Sequence, residues 1–409
     1  MDRSRTVEAV WRIESARLIA SLTRTLRDLG RAEEVAQDTF VAALEQWPER
    51  GVPENPGAWL MATARNKAID QIRRERSRED KYARVATEME RTDNRDDDLL
   101  SLVFIACHPV LPRESRVALT LRLLGGLDTD EIARAFLAPS ATMGQRISRA
   151  KRTLAEAHAP FEVPTREELP KRLSAVLEVV YLIFNEGYSA TSGEEWIRRD
   201  LAEEAMRLGR MLSGLLPKEP EVHGLVALME LQASRFGARS GPDGEPVLLP
   251  DQDRAHWDRT LMNHGLSALN RATGLGGPIG PYTVQAAIAA CHARAPSFED
   301  TDWEAIVSLY DALAQLAPSP VVDLNRAVAL LNADGPEAAF KALEKIRSDP
   351  RMSRYHLFGA VRGDVLLRLG RPGDAAEALE EAAGAAPTQR ERNLLMERAA
   401  AAMALSEAE

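Results

Sequence analysis

The sequence predicts an all-α protein, on three observations. Apolar residues recur at spacings of three and four along most of the chain. The composition is rich in alanine, a strong helix former. Strand-like alternation never lasts more than a few residues. Proline and glycine cut the helical pattern into segments at "WPERGVPENPG", "CHPVLP", "LAPS" and "HAPFEVPTREELP". The last of these predicts a domain boundary near residues 158–170. The 409 residues suffice for two or three domains, and 45% hydrophobic content suits a chain that buries real cores.

Several classes are disfavoured at the outset. No apolar run approaches the roughly 18 residues needed to cross a bilayer. The N-terminal "MDRSRTVEAVWRIESARLIA" lacks an apolar stretch followed by a small-residue cleavage site, so a cytoplasmic protein without a membrane role is expected. Cys107 and Cys291 are the only cysteines, which suits a reducing compartment and excludes a disulfide framework. Each precedes a histidine, but adjacent residues rarely chelate one metal, so core thiols are expected.

Net charge is −10, unevenly spread. Through Pro160 there are 26 Lys and Arg against 25 Asp and Glu; the remainder holds 26 against 37. A near-neutral N-terminal part with local basic clusters can bind DNA, whereas the acidic C-terminal part is unsuited to do so unaided.

The first informative helix lies in "RAEEVAQDTFVAALEQWP", where Val35, Phe40, Ala43, Leu44 and Trp47 recur at helical spacing. Glu33, Glu34 and Asp38 are expected to form an exposed acidic edge. The next, "PGAWLMATARNKAIDQIRRERSR", divides on a helical wheel. Leu60, Met61, Ala64, Ala68 and Ile72 share a packing face; Trp59, Thr63, Asn66, Asp70 and Arg73 lie opposite. Rings and guanidinium planes can stack on unpaired bases, amides and carboxylates can bond base edges, and Arg73, Arg74 and Arg76 can hold phosphates. A solvated polar face is the plainer reading of this helix taken alone. Residues 77–99 are highly charged, end in an acidic run and read as a linker, flexible or weakly helical.

"LPRESRVALTLRLLGGLDTDEIARAFLAPSATMGQRISRAKRTLAEA" has the layout of a helix-turn-helix. One helix, Arg116 to Leu124, stops at Gly125-Gly126. Asp128 and Glu131 form a capping-box-like start of a short helix to Phe136, and after a turn a helix runs from about Ser140 to Ala157. On it Met143, Ile147, Ala150 and Leu154 form a narrow apolar stripe, while Gln145, Ser148, Arg149 and Arg152 face away. Such side chains suit base edges and phosphates.

The order and separation of these segments resemble the extracytoplasmic-function group of bacterial sigma factors. "AEEVAQDTFVAALEQW" resembles the polymerase-docking helix of sigma region 2, and "PGAWLMATARNKAIDQIRR" its promoter-melting, minus-ten-reading helix. The region 4 pattern stands here as Leu111-Pro112, Arg116, Leu119-x-Leu121-Arg122, Gly126-Leu127, Glu131-Ile132-Ala133 and Thr142, Arg146, Arg149-Ala150. The resemblance covers residues 8–158. It implies sigma region 2 at 1–78, an acidic linker at 79–100, sigma region 4 at 101–160 and a further helical domain at 170–409.

The resemblance also implies partners and roles: core RNA polymerase (its β′ coiled coil and β flap) and promoter DNA, with no cofactor and no catalysis. Glu34, Gln37, Asp38 and Phe40 would dock on polymerase. Trp59, Asn66, Asp70, Arg73, Arg74 and Arg76 would open and read the minus-ten element; Thr142, Gln145, Arg146, Ser148, Arg149 and Arg152 would read the minus-thirty-five element. The sequence departs from the family pattern at Leu137, where a turn glycine is usual, at Pro139, where a serine cap is usual, and at Gly144 inside the recognition helix.

Some 240 residues follow, and "VLEVVYLIFNEGYSAT", "LSGLLPKEPEVHGLVALMEL" and "DQDRAHWD" resemble the sigma subgroup with a fused tetratricopeptide-like domain. Independently, Pro318, Pro350 and Pro387 close helical segments at intervals near the period of about 34 residues expected for such helix pairs. An unknown protein partner is expected for that domain, which would tune activity. The competing reading is a conventional helix-turn-helix regulator fused to a protein-interaction module.

Overall fold

The computed structural model describes residues 3–75, 95–136, 138–188, 197–241, 245–352 and 355–408. Arg76, Leu137, Ser189 and Ala190 and most of the charged linker, residues 77–94, lie outside the described residues. Among the described residues there are eighteen α-helices and no strand. The chain forms two compact units, Met1–Ile183 and Phe184–Glu409.

The first unit begins with three helices, α1 (Arg3–Leu26), α2 (Leu29–Arg50) and α3 (Pro56–Glu75). Asp28 caps α2 by accepting from the Arg31 N–H at 3.0 Å, and α2 runs through Pro48 until Gly51, at φ +87°, ends it. Asn55 opens α3 by accepting from the Ala58 N–H. The three helices close over Leu18, Leu22, Val35, Ala36, Ala43, Trp47, Leu60, Ala64 and Ala68, all buried. Four helices follow: α4 (Arg95–Ala106), α5 (Arg113–Leu123), α6 (Thr129–Ala135) and α7 (Ser140–Glu156). The acidic run Asp96–Asp98 forms the first turn of α4, where carboxylates complement the positive end of the helix dipole. Helix α4 packs along α1, and Arg24 pairs with the largely buried Asp98 at 3.2 Å.

The unit boundary falls within α8 (Leu169–Tyr188). The second unit continues with α9 (Arg199–Leu215), α10 (Pro220–Ala233), α11 (Arg259–Gly274) and α12 (Pro281–Arg294). Six further helices are α13 (Trp303–Leu316), α14 (Pro320–Ala333), α15 (Pro336–Ile346), α16 (His356–Arg368), α17 (Pro372–Ala385) and α18 (Gln389–Ala408). From α13 onward each helix packs on the next, and Pro318, Pro350 and Pro387 follow α13, α15 and α17. Alanine-rich faces allow this close stacking: Ala375, Ala376, Ala378, Ala382 and Ala383 are buried around Leu379.

Helices α10 and α12 approach closely at Gly224. A Cβ there would lie 2.8 Å from the Thr283 backbone nitrogen and 2.9 Å from its Cα. One turn away, Glu221 of α10 accepts from the Tyr282 and Thr283 N–H groups at 2.9 and 3.1 Å and so caps α12. Gly224→Ala is therefore expected to destabilise the second unit by about 1–3 kcal/mol through overpacking, despite a helix-propensity gain of about 1 kcal/mol. A lowered urea midpoint at unchanged slope is the expected reading; a raised midpoint would contradict it.

Candidate nucleic-acid interface

Helices α5 to α7 build a helix-turn-helix. Gly126, at φ +68°, makes the turn after α5. The Asp128 side chain accepts from the Glu131 N–H at 2.7 Å and the Glu131 side chain from the Asp128 N–H at 2.8 Å, completing the capping box of α6. Pro139 precedes α7 without a side-chain cap, and Ser140 donates instead to Asp130 on α6. Gly144 serves no close approach, since a Cβ there would meet only Thr129 at 3.7 Å. Met143, Ile147, Ala150 and Leu154 are all at most 4% exposed and fix the rotation of α7. That rotation leaves Thr142, Gln145, Ser148, Arg149 and Arg152 exposed and Arg146 half-buried. Arg152 reaches only an exposed Glu156, at 3.8 Å.

Helix α3 is divided along its wheel in part: Met61 and Thr63 are both half-buried, and the side chains of Ile72 and Arg73 lie outside the described residues. Leu60, Ala64 and Ala68 are buried, whereas Asn66 and Asp70 are exposed. Trp59 is half-buried and meets Trp47 edge-on, with ring centroids 5.3 Å apart. Arg73 and Arg74 continue α3 in its last turn. On α2, Glu34 and Asp38 are exposed, Gln37 is half-buried, and Phe40 stacks on Trp11 at 4.7 Å.

One reading of α2 needs correction. Glu33 is not on the exposed edge: its side chain is 6% exposed. It accepts from Arg122 Nε at 2.7 Å, from Lys151 Nζ at 2.6 Å and from Gln37 Nε2 at 3.0 Å. Burial alone would raise its pKa, but the two cations outweigh that and hold the carboxyl below its usual range. Its partners are 89 and 118 residues away in sequence, beyond the reach of any local pattern.

In the second unit "DQDRAHWD" is a structural knot. Gln252 accepts from Arg235 and donates to the Val247 carbonyl; Asp253 caps a short 3-10 turn, and Asp258 caps α11. Arg254 donates to the His292 and Ala295 carbonyls at the end of α12. The buried Trp257 ring takes Arg235 and Arg254 at 5.4 and 4.9 Å from its centroid. Beside it Arg239 lies 3.7 Å from the Tyr188 ring centroid, while Glu186 pairs with Arg198 at 3.1 Å. Burial, with Arg235 and Arg254 near, pulls His292 down to about 4, so it is neutral at pH 7. Burial pushes the Cys107 thiol up to about 11, as befits a core residue; its sulfur lies 3.4 Å from the Thr120 hydroxyl.

Two helical units, one carrying a helix-turn-helix with a polar outer face, define a DNA-binding class of protein. Comparison with known proteins narrows it. Sigma-70 region 2 matches residues 13–78, Sigma-70 region 4 matches 101–154, and a family of unknown function, DUF6596, matches 172–273. An uncharacterised protein of Rhizobium meliloti is 45% identical over 377 residues, covering 89% of this chain and 88% of that protein. The ECF RNA polymerase sigma factor SigC of Mycobacterium tuberculosis is 29% identical over 133 residues, 32% of this chain and 71% of that protein. SigK of Mycolicibacterium vanbaalenii is 29% identical over 149 residues, 34% and 74% of the two chains. The chain belongs to the extracytoplasmic-function sigma factors of the sigma-70 family, with a fused helical domain beyond region 4. No helix among the described residues is long and apolar enough to cross a membrane.

Proposed function

We propose that this chain is a dissociable subunit of bacterial RNA polymerase that selects promoters and helps to open them, in the cytoplasm. The observation that carries the reading is α3: an exposed Asn66 and Asp70 beside a half-buried Trp59, opposite a buried Leu60, Ala64 and Ala68 face. A protein that reads only closed duplex has no use for a strand-trapping helix alongside a recognition helix. On this reading Asn66 and Asp70 bond a flipped base of the minus-ten element, Trp59 offers a stacking surface, and Arg73, Arg74 and Arg76 hold the backbone. Thr142, Gln145, Arg146, Ser148, Arg149 and Arg152 read the minus-thirty-five element in the major groove. Glu34, Gln37, Asp38 and Phe40 meet the β′ coiled coil, and region 4 meets the β flap. The protein does no chemistry itself. The stacked helix pairs of the second unit recur roughly every 34 residues and suit a tetratricopeptide-like scaffold for a protein partner that tunes activity.

The test is binding of the full chain to purified core polymerase, set against binding to free duplex. Nanomolar binding to core with weak duplex binding is expected; tight duplex binding without core would favour a conventional regulator. Within the same assay Arg149→Ala should leave core binding unchanged. It should lower initiation from minus-thirty-five-dependent promoters roughly tenfold or more, as loss of one bidentate base contact of about 1–3 kcal/mol implies. Full activity of that variant would mean that another face of α7 reads DNA.

A further inference from the structure

The first unit holds a cavity of about 550 Å³, within the range of roughly 300–1,000 Å³ typical of sites for small molecules. Its apolar lining comes from three helices and the chain beyond them: Leu29 of α2, Ile105 of α4 and Leu154 of α7 are buried, and Phe161 is half-buried. Its charged lining is mainly cationic. Arg24, Arg27, Lys151 and His158 stand against a single carboxylate, Asp28. Three of these groups are already committed. Arg24 pairs with Asp98 and Lys151 with Glu33, while Asp28 caps α2 and lies 3.8 Å from Arg31. The other two are not. No ion pair among the described residues takes up the Arg27 guanidinium. The His158 Nδ1–H donates to the Ala155 carbonyl at 2.9 Å, which leaves Nε2 uncommitted.

The same two residues are held in a strained backbone. Among the described residues only Arg27 and His158 have a left-handed φ without being glycine, at +53° and +47°. Each follows the end of a helix, α1 and α7, where glycine adopts this conformation with no Cβ to clash. Turn formation alone favours glycine at both positions. Both side chains instead line one cavity, and inside the fold Arg27 gains no ion pair that would offset the strain.

We infer that this cavity binds a small amphipathic carboxylic acid. Its hydrocarbon body lies against Leu29, Ile105, Leu154 and Phe161, and its carboxylate sits on Arg27 with His158 beside it. A guanidinium meets a carboxylate with two parallel hydrogen bonds, and an apolar wall disfavours small hydrophilic anions. Asp98 and Glu33 neutralise Arg24 and Lys151, so one guanidinium is left for the head group. That suits a singly charged carboxylate better than a phosphate dianion. The site belongs to the chain itself and needs neither polymerase nor DNA, so it stands apart from promoter selection.

Calorimetric titration of the full chain with dodecanoate, below its micelle concentration, tests this. One equivalent should bind at micromolar affinity. Dodecylammonium, with the same tail and the opposite charge, should bind at least tenfold more weakly. Arg27→Gly and His158→Gly separate a ligand contact from a structural role. Each should raise the thermal midpoint of the first unit by about 1–4 °C, because glycine takes the positive φ freely. Each should also weaken dodecanoate binding, at least tenfold for Arg27→Gly and severalfold for His158→Gly. No binding, several equivalent weak sites, equal affinity for the two head groups, or undiminished affinity in Arg27→Gly would overturn the site. A lowered midpoint together with lost binding would also overturn it, by assigning Arg27 to structure alone. None of these readouts involves polymerase, so failure here and failure of the sigma reading are told apart.

Discussion

Asn66→Ala is expected to cut promoter opening roughly ten- to hundredfold while leaving core binding intact. Asn66 is exposed on α3, away from the buried Leu60, Ala64 and Ala68 face, so its loss should disturb stability by no more than about 0.5 kcal/mol. Holding a base out of the stack costs a few kcal/mol, and polar contacts to its edge are among the terms that offset this. One hydrogen-bonding side chain is worth about 1–3 kcal/mol of base discrimination, which sets the size of the effect. Permanganate reactivity of unpaired thymines, read beside core affinity, checks it. Loss of core affinity in this variant would mean that α3 docks on polymerase, and the role given to its outer face would be withdrawn.

Trp257→Ala should produce the largest loss of stability, about 3–5 kcal/mol, confined to the second unit. The indole is 4% exposed and lies against two guanidinium groups. Without it Arg254 loses the surface that aims it at the His292 and Ala295 carbonyls, and the end of α12 loses its cap. In urea, the unfolding step of the second unit should move to lower concentration while that of the first stays in place. Each unit must be followed as its own transition, because a two-unit chain need not unfold in one step. An unmoved second transition would mean that the knot contributes nothing to the stability of this unit.

Local periodicity made much of this legible. The spacing of Met143, Ile147, Ala150 and Leu154 fixed which face of α7 is buried, because a narrow apolar stripe leaves one rotation that covers it. Asp128 and Glu131 marked the start of α6 for an equally local reason, a carboxylate three residues from its cap. Glu33 was misread because its neutralising partners are far away in sequence; a helical wheel gives a charged residue to solvent unless it knows of Arg122 and Lys151. The roles of Gln252, Arg254 and Trp257 within "DQDRAHWD" were equally opaque. Their hydrogen bonds and ring contacts depend on α12 and on Arg235, which the motif does not contain. Long-range pairing, rather than weak propensity, separates what was readable from what was not.

The most direct test of the central claim is run-off transcription with purified core polymerase and the full chain, on the candidate promoters of its own host. The account predicts a promoter-specific transcript that core alone does not give and that Asn66→Ala abolishes or sharply reduces. No transcript, together with tight binding of the chain to free duplex, would contradict it and identify a conventional helix-turn-helix regulator instead.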